Sequence, residues 1–466
     1  MIYKYTLFGY NIVLDIESGA IHILSDIAFK MIDYIGLMFE KDNFNGLPEE
    51  CPVDLRYFFA KHKNSDVQEA YSELCGLHSD QLLFSKNDEN IKLNYSDETP
   101  IKALCLNISH DCNMNCEYCF AGKGDFGLEK KLMSETTGMN AVKFLMQNSK
   151  SRRNLEVDFF GGEPLMNFGV VKNIVLNTRK IEQEYNKNVR FTLTTNGTLL
   201  DDEKINFINE NISNIVLSLD GLKETNDNMR QYDGGETDGS YSEIVPLYQK
   251  LVAERKNKKY QDYYIRGTFT RKNLNFTKDV IHMRDLGFKN LSIEPVVAEE
   301  DCDYAIRKED LPVIFKEYEH LAREIIKRER KQEDIFNFFH FNINLENGPC
   351  VYKRSKGCGS GSEYLAVTPN GDIYPCHQFV GNEKFKLGNV DIPNIKLNKK
   401  LMREFYDNNI ILNEECKKCW AKYFCGGGCP ANNERFSGGI YQPYEIACVM
   451  EKKRVECAIA IKAVLS

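Results

Sequence analysis

The sequence predicts an α/β protein whose central part is a parallel sheet of alternating strands and helices. Six short apolar runs recur along the middle of the chain, at 101–108, 155–160, 190–195, 214–219, 263–269 and 290–295. Amphipathic stretches predicted to be helical lie between them, near 134–148, 168–186, 202–210, 242–256 and 275–286. Strands that alternate with helices favour parallel pairing, because a parallel connection needs a crossover segment.

Composition and charge exclude several classes of protein. The chain has 466 residues, of which 42% are hydrophobic and 27% are charged, as in an ordinary globular protein of about three domains. A net charge of −8 without a long basic stripe weighs against nucleic acid as a partner. The apolar runs are too short to span a membrane, and no secretory signal is visible at the N-terminus. We therefore expect a cytoplasmic protein with no nucleic-acid or membrane partner.

The first 95 residues are predicted to form a separate unit. Apolar and polar residues alternate over three short stretches, at 3–8, 10–15 and 20–24. This alternation predicts a small antiparallel sheet, followed by a helix over 26–39 that Ser25 can cap. Two further helices are predicted near 53–61 and 67–77, with an edge strand at 81–85. The polar segment 86–100 is typical of a linker.

The last third of the chain differs in composition from the central part. Residues 299–345 are heavily charged and include a predicted helix near 309–331, which suggests a bridge between domains. From about residue 346 the chain is rich in Cys, Gly and turns. A hairpin is predicted from 363–367 and 372–375, and an amphipathic helix from 447 to the end.

Sixteen cysteines are too sparse for a disulfide scaffold in a chain of this length. Five are isolated, and we expect them to be ordinary thiols: Cys51, Cys75, Cys105, Cys302 and Cys457. The other eleven form three clusters. The first cluster, Cys112, Cys116 and Cys119, follows the first central strand with C-x3-C-x2-C spacing. Three such thiolates can hold a [4Fe–4S] cluster and leave one iron open, whereas a structural zinc site would need a fourth ligand.

This loop, with Tyr118 before its last cysteine, resembles the signature of the radical SAM superfamily. The resemblance implies a partial (β/α)6 barrel, similar to a TIM barrel, over residues 101–298, with S-adenosylmethionine (SAM) bound at the carboxyl ends of its strands. A GGEP segment at 161–164, polar residues after the third and fourth strands, and an arginine further on match the family's cofactor contacts. The implied SAM-binding residues are Gly161, Gly162, Glu163, Pro164, Asn196, Ser218, Asp220, Arg230 and Glu294.

The remaining eight clustered cysteines, within 346–466, resemble those of the SPASM domain, which carries two auxiliary [4Fe–4S] clusters. The resemblance assigns the distal cluster to Cys416, Cys419, Cys425 and Cys448. It assigns the proximal cluster to Cys350, Cys358, Cys376 and Cys429. Two alternatives stay open. Cys350 need not be a ligand, in which case an open iron is available to a substrate thiolate, and the 416–429 run taken alone also resembles a zinc ribbon.

Five stretches of the chain resemble the maturases of SCIFF peptides, which are cysteine-rich ribosomal peptides of the ranthipeptide class. They lie at 103–121, 154–167, 266–271, 348–365 and 374–381. The N-terminal unit resembles the winged-helix-like RiPP recognition element, which binds a leader peptide by strand addition. The resemblance implies three [4Fe–4S] clusters and a 5′-deoxyadenosyl radical formed from SAM. It further implies thioether crosslinks from cysteine sulfur to carbon, and a ferredoxin or flavodoxin as electron donor in an anaerobic bacterium.

One position departs from the related sulfatase-maturing enzymes. Those enzymes carry an Asp after the cysteine that corresponds to Cys376, whereas this chain carries His377. The departure weighs against sulfatase maturation. His377 is the only candidate base, and a hydrogen-bonded structural histidine is its ordinary interpretation. Two other functions stay open: another SPASM maturase, which makes a carbon–carbon bond or a formylglycine, and a non-enzymatic iron–sulfur or zinc scaffold that binds a peptide.

Overall fold

The N-terminal unit contains a three-stranded antiparallel sheet and three helices, as predicted. A computed structural model describes residues 1–39, 53–86, 99–234, 239–255, 261–343 and 355–465. The strands, in spatial order, are β1 (Ile2–Leu7), β2 (Tyr10–Asp15) and β3 (Ile21–Leu24). The helices are α1 (Asp26–Phe39), α2 (Val53–Phe59) and α3 (Asn64–Ser79). The strand predicted at 81–85 is wrong, because Gln81 and Phe84 have φ of 59° and 54°, and this left-handed conformation interrupts an extended chain.

The central sheet contains all six predicted strands in sequential order. They are β4 (Ala103–Ser109), β5 (Asn154–Gly161), β6 (Asn188–Thr195), β7 (Asn214–Ser218), β8 (Asp262–Phe269) and β9 (Asn290–Pro295). Every neighbouring pair among them is parallel. Strand β4 is buried along its whole length, whereas β5 and β6 alternate more exposed with buried residues. The apolar runs therefore mark the strands correctly.

Six helices lie between these strands. They are α4 (Glu135–Asn148), α5 (Phe168–Ile181), α6 (Asp202–Asn211), α7 (Lys223–Met229), α8 (Tyr241–Arg255) and α9 (Thr277–Asp285). Ser134 caps α4 by accepting from the backbone N–H of Thr137, and Asp201 caps α6 in the same way. Helix α7 was not predicted, because its seven largely polar residues lack an apolar period.

The sheet continues beyond the six strands at both ends. After α10 (Leu311–Lys331), the short strand β10 (Asn337–Phe338) pairs with β9 in parallel. At the other end, β11 (Tyr364–Val367) pairs in parallel with β4 and forms the predicted hairpin with β12 (Asp372–Tyr374). A strand that was not predicted, β13 (Gly388–Asn389), pairs with β12. The cysteine-rich C-terminal region therefore begins as part of the same ten-stranded sheet. The sequence did not predict this continuity.

Short helices and one long helix complete the C-terminal region. They are α11 (Lys399–Asp407), α12 (Glu414–Lys417), α13 (Lys422–Cys425), α14 (Pro430–Ser437) and α15 (Glu445–Leu465). The long helix α15 packs along α10 and contacts the turn that follows β10. None of the described helices is long and apolar enough to cross a membrane.

The N-terminal sheet packs on both of its faces. Val13 and Leu24 contribute to a local core with helices α1 and α3. Leu7, Ile12 and Leu14, by contrast, belong to the main core that includes the central sheet. The unit predicted over 1–95 therefore has a core of its own and also contributes one face of its sheet to the main core.

Candidate functional site

A cavity of about 550 Å³ opens at the carboxyl ends of the central strands. The loop that follows β4 lines one side with Cys112, Cys116 and Cys119. The C-terminal region lines another part of the wall, where its cysteines are Cys425, Cys429 and Cys448. The fold thus brings cysteines from two distant parts of the sequence to a single cavity, at the end of a parallel sheet where active sites form.

The first cysteine loop, residues 112–119, is held by backbone hydrogen bonds to the last residue of α7 and to the segment that follows it. The N–H of Asn115 donates to the carbonyl of Gln231 at 2.8 Å, and that of Glu117 donates to the carbonyl of Met229 at 2.9 Å. Burial raises the pKa of the Cys112 thiol to about 12 and that of Cys116 to about 11. These thiols are therefore protonated at neutral pH unless a metal binds them, and metal binding releases their protons.

The GGEP segment packs directly on the start of this loop. The N–H groups of Gly162 and Glu163 donate to the carbonyls of Ser109 and Asp111 at 2.8 and 2.9 Å. A Cβ atom at Gly162 would lie 2.1 Å from the carbonyl oxygen of Asp111, and one at Gly161 would lie 2.3 Å from that of Ser109. Only glycines permit this close approach of two backbones.

The Glu163 carboxylate is buried at the cavity wall and accepts three hydrogen bonds. The donors are the hydroxyl of Thr195 at 2.8 Å and the backbone N–H groups of Asn196 and Leu165 at 2.8 and 2.9 Å. Burial nevertheless raises the pKa of Glu163 to about 7, because the donors offset desolvation only in part. A cationic group bound in the cavity would favour the ionised carboxylate.

Tyr118, Asp220 and Arg230 form a buried polar cluster beside the cysteines. The Tyr118 hydroxyl donates to Asp220 at 2.7 Å and accepts from Arg230 at 3.1 Å. Asp220 lies behind this tyrosine and does not line the cavity, unlike Arg230. Arg230 is only 6% exposed, and within the described part of the chain its Nε has no hydrogen-bond partner. A buried donor of this kind suits an anionic ligand such as a carboxylate.

The other predicted SAM-binding residues fall into two groups. Asn196, Ser218 and Glu294 line the cavity, and Asn196 donates to the side chain of Asn113 at 3.0 Å. Pro164 does not line the cavity and begins a short 3-10 turn instead. The structure therefore brings most of the predicted residues to one wall, and it places Pro164 and Asp220 behind that wall.

The C-terminal cysteines separate into two spatial groups. Burial, and after it the neighbouring thiols of Cys429 and Cys358, raise the pKa of Cys376 to about 12. Burial, and after it the thiols of Cys448 and Cys419, raise the pKa of Cys416 to about 12, and Cys425 also has Cys448 as a neighbour. Cys429 thus joins Cys358 and Cys376 rather than its sequence neighbours. Cys350 lies outside the described residues.

His377 lies in the cavity wall between two aromatic rings. Its ring centroid is 5.4 Å from that of Phe120 and 4.8 Å from that of Phe160. Burial, and after it the charge of Arg266, lower the pKa of His377 to about 4, so the imidazole is neutral at pH 7. Its buried Nδ1 has no hydrogen-bond partner among the described residues.

A second polar cluster, which reaches the cavity wall at every member except His340, was not predicted from the sequence, apart from Glu294. It contains Arg266 on β8, Glu294 on β9, His340 after β10, and Arg454 with Glu451 on α15. The position of Arg266 near the carboxyl end of a strand is a signal that sequence reasoning can use. His340 and Arg454 give no such signal, because only tertiary packing brings their elements together.

The four isolated cysteines that the structure describes lie away from the cavity wall. Cys105 and Cys457 are buried, Cys75 and Cys302 are partly exposed, and Cys51 is outside the described residues. All cysteines in the described ranges are free thiols. Within those ranges, no group of three or more His, Cys, Asp or Glu side chains is arranged to hold a single metal ion.

Two sequence families match the chain at the regions that form this cavity. Residues 106–254 match the radical SAM superfamily, and residues 358–420 match SPASM, an iron–sulfur cluster-binding domain. The chain therefore carries a region of the radical SAM type and a region of the SPASM type, and these two families imply [4Fe–4S] clusters and SAM. Three features of the cavity fit a [4Fe–4S] cluster and SAM. They are the three cysteine thiols in its wall, the Nε of Arg230, and the close backbone contact at Gly161 and Gly162.

The chain is homologous to anaerobic sulfatase-maturating enzymes. The cysteine-type enzyme of Clostridium perfringens is 25% identical over 350 residues, which cover 71% of this chain and 89% of the relative. A structure of anSMEcpe with bound AdoMet has a TM-score of 0.63 at 22% identity and covers 78% of this chain and 98% of that chain. Streptococcus suis SuiB bound to the precursor peptide SuiA has a TM-score of 0.52 at 16% identity and covers 96% and 98%. These structures confirm the predicted α/β fold with a partial barrel and a C-terminal SPASM domain.

Proposed function

We propose that the protein is a peptide maturase that forms thioether bonds in a cysteine-rich ribosomal precursor peptide, like the SCIFF maturases. The observation that carries this proposal is the single cavity bordered by all three groups of cysteines. Cys112, Cys116 and Cys119 line one part of it, and Cys429 and Cys448 represent the other two groups in its wall. A substrate thiol and a site of radical formation can therefore occupy the same enclosed space.

In this proposal, the first cavity wall binds a [4Fe–4S] cluster and SAM. Cys112, Cys116 and Cys119 would bind the cluster. Glu163 would bind the ammonium group of SAM, and Arg230 would bind its carboxylate through the free Nε. Asn196 and Ser218 face the ribose, while Gly161 and Gly162 permit close approach. When bound, the cluster and SAM supply a radical that removes hydrogen from a carbon of the peptide. Because Glu163 and Arg230 are buried, little water would screen their electrostatic contacts to SAM.

The second wall would hold two auxiliary [4Fe–4S] clusters, which brings the total to three. Cys416, Cys419, Cys425 and Cys448 would hold the distal cluster. Cys358, Cys376 and Cys429 would hold the proximal one, with Cys350 or a substrate thiolate as its fourth ligand. Binding to iron would lower the thiol pKa, so the step needs no strong protein base. The electron released when the C–S bond forms would pass to an auxiliary cluster. His377, neutral and with a free Nδ1, is the candidate acceptor for the thiol proton.

The N-terminal sheet offers a free edge for the leader of the precursor peptide. In the described part of the chain, β3 pairs with β2 alone, and the Ile23 side chain on β3 is exposed. An added strand from a leader would pair its backbone with this edge. The structural neighbour SuiB, which is bound to its precursor peptide SuiA, covers this N-terminal unit as well. The other partner we propose is a one-electron donor such as a ferredoxin or flavodoxin.

The decisive experiment incubates anaerobically reconstituted enzyme with SAM, a reductant and candidate cysteine-rich precursor peptides encoded near its gene. Each thioether replaces one C–H and one S–H bond by a C–S bond, so the peptide mass falls by about two daltons and one thiol resists alkylation. A mass loss with every thiol still alkylated would exclude the thioether. Reconstituted protein that is colourless and free of iron would exclude radical chemistry altogether.

The homology to sulfatase-maturating enzymes favours a second candidate, the oxidation of a cysteine or serine to formylglycine. His377 stands where those enzymes carry an aspartate, and this difference weighs against it. The two functions differ in their products, because formylglycine is an aldehyde. A product that reacts with hydroxylamine reagents would establish formylglycine, whereas a thioether does not react with them.

Leader docking is tested by Ile23→Lys, since an exposed side chain can change without disturbing the core. Val313→Lys on α10, which is also exposed, is the matched control. We expect slower processing of full-length precursor with Ile23→Lys and unchanged SAM cleavage without peptide. Deletion of residues 1–95 is not a suitable test, because it would remove Leu7, Ile12 and Leu14 from the main core and expose the residues that pack against them.

A further inference from the structure

Arg266 is an arginine in the cavity wall whose donors the protein leaves largely free. Its side chain is 50% exposed and lines the cavity. Within the described residues its only ion-pair partner is Glu294, at 3.8 Å between Nε and Oε1, which is too long for a hydrogen bond. A guanidinium has five N–H donors in a planar fork, so this side chain can bind two oxygen acceptors side by side.

Glu294 is itself fixed by a chain of contacts that reaches the C-terminal helix. Its Oε1 lies 3.3 Å from Nε2 of His340, and the guanidinium of Arg454 contacts Nδ1 of the same ring at 3.0 Å. Arginine only donates, so Nδ1 accepts, and Nε2 is the donor toward Glu294 and the Ser292 hydroxyl, which also lies 3.3 Å away. Arg454 is held in turn by an ion pair with Glu451 on α15.

The charges around Arg266 favour a neutral ligand over an anionic one. Burial acts to raise the pKa of Glu294, but His340, Arg266 and Arg454 outweigh it and hold this pKa well below its usual range. Glu294 is therefore ionised beside Arg266, and it would repel a ligand carboxylate. A backbone carbonyl has no net charge, so Glu294 repels it less than it would repel a carboxylate. Its oxygen carries a partial negative charge and can still accept hydrogen bonds from the guanidinium.

Arg266 lies between the cavity wall proposed for SAM and the wall formed by the C-terminal region. Along the sheet it is in register with Ser218 on β7, which belongs to the wall proposed for SAM. On the other side its charge acts on His377, next to Cys376 of the auxiliary group. A peptide segment that passes from the radical site toward the auxiliary cysteines would therefore pass Arg266.

We propose that Arg266 binds backbone carbonyl oxygens of the substrate peptide beside the residue that loses hydrogen. Glu294, His340 and Arg454 are positioning residues that hold the guanidinium in place. This inference rests on the proposed function, since it assumes a peptide in the cavity. It assigns substrate binding to a side chain that the sequence did not single out, and it gives Glu294 a role toward the peptide as well as its predicted place beside SAM.

The test compares Arg266→Gln with Arg403→Gln in the full-length, reconstituted enzyme. Arg403 lies on α11 outside the cavity wall, and its side chain is 49% exposed, so both substitutions remove the same charge at the same exposure. The probe is the precursor peptide that the wild-type enzyme modifies in the mass assay. We expect Arg266→Gln to raise the KM for this peptide roughly ten- to a hundredfold, the effect of a lost charge-assisted hydrogen bond. Arg403→Gln should leave both this KM and the formation of 5′-deoxyadenosine without peptide unchanged.

Two further variants separate positioning from a merely structural role. Arg266→Lys keeps the positive charge but lacks the planar pair of N–H donors. Its affinity for the peptide should therefore lie between those of Arg266→Gln and the wild type. His340→Leu should raise KM in the same direction by a smaller factor, and His340→Gln, whose amide can donate to Glu294, should restore part of the loss. A structural role would instead lower the stability of both His340 variants equally and leave KM unchanged.

Three results would contradict the proposed role of Arg266. If Arg266→Gln and Arg403→Gln have equal KM values, Arg266 does not bind the peptide. If Arg266→Gln loses SAM cleavage in the absence of peptide, the residue contacts SAM and the inference is wrong. If the wild-type enzyme modifies no cysteine-rich peptide, the proposed function fails first, and the inference fails with it.

Discussion

The two cysteine-bearing regions at the cavity are held in different ways. The loop at 112–119 is braced by neighbours of its own sheet: the glycine segment after β5 and the backbone that follows α7. The segment at 416–425 is braced by the N-terminal unit, about four hundred residues away in sequence. The first arrangement combines backbone contacts that glycine permits with the hydrogen bonds of Tyr118 inside the same domain. The second uses charged and aromatic side chains of a distant unit.

The contacts of the second region form a buried polar junction. Lys422, between Cys419 and Cys425, donates to Glu17 at 2.8 Å, and the hydroxyl of Tyr423 donates to the same carboxylate at 2.9 Å. The Lys422 and Glu17 side chains are 5% and 7% exposed. Next to this pair, Tyr3 stacks on Trp420 with ring centroids 3.8 Å apart and an interplanar angle of 3°.

The 416–425 segment therefore depends on the N-terminal unit, which we propose to bind the leader. A buried ion pair contributes little net stability when complete, but it costs much when one partner is lost. The 416–425 segment is therefore sensitive to changes in the N-terminal unit, and the 112–119 loop is not. Amide hydrogen exchange of the two segments measures this difference directly, since it reports local opening.

The largest effect is expected from Lys422→Met, which leaves the Glu17 carboxylate buried without its cation. We expect the free energy of opening of residues 416–425 to fall by about 3–5 kcal/mol. Exchange of residues 112–119 should remain close to that of the wild type. Equal acceleration in both segments would show that the two regions do not differ as the contacts indicate.

The matched control is the double variant Glu17→Gln/Lys422→Met, which removes both charges together. Because no unpaired charge then remains buried, most of the lost protection should return. If the double variant is as unstable as Lys422→Met alone, packing of the lysine stem rather than its charge holds the segment.

A smaller effect on the other region is expected from Gly162→Ala. The new Cβ would lie 2.1 Å from the carbonyl oxygen of Asp111, and neither backbone can move freely. We expect a destabilisation of about 1–3 kcal/mol, as for overpacking elsewhere, confined to exchange near residues 112–119. SAM affinity, measured by equilibrium binding, should fall with it.

Gly169→Ala is the control for this variant, because a Cβ there has no neighbour within 4 Å. Residue 169 lies in helix α5, where alanine is more favourable than glycine. This control should therefore be neutral or stabilising. Loss of SAM affinity in both variants would contradict the packing explanation.

The same contrast explains what the sequence could predict. The central strands, the C-x3-C-x2-C loop and the GGEP segment depend on local patterns, and the structure brings them together as expected. The pairing of β11 with β4, the His340–Arg454 contact and the Glu17–Lys422 pair join elements far apart in sequence. No periodicity or spacing in a single sequence encodes such contacts, and the strand wrongly predicted at 81–85 failed at two left-handed residues that local alternation does not reveal.

The smallest effect is expected from Tyr3→Phe, which tests how much of the junction depends on hydrogen bonding rather than stacking. The Tyr3 hydroxyl donates to Glu456 on α15, and Phe keeps the ring that stacks on Trp420. Glu456 retains its ion pair with Lys453 at 3.0 Å, so no carboxylate is left unpaired. We therefore expect a loss of about 1 kcal/mol in the opening free energy of residues 416–425, measured by the same exchange experiment. A loss larger than that of Lys422→Met would mean that Tyr3, and not the buried ion pair, is the main link between the N-terminal unit and the auxiliary cysteines.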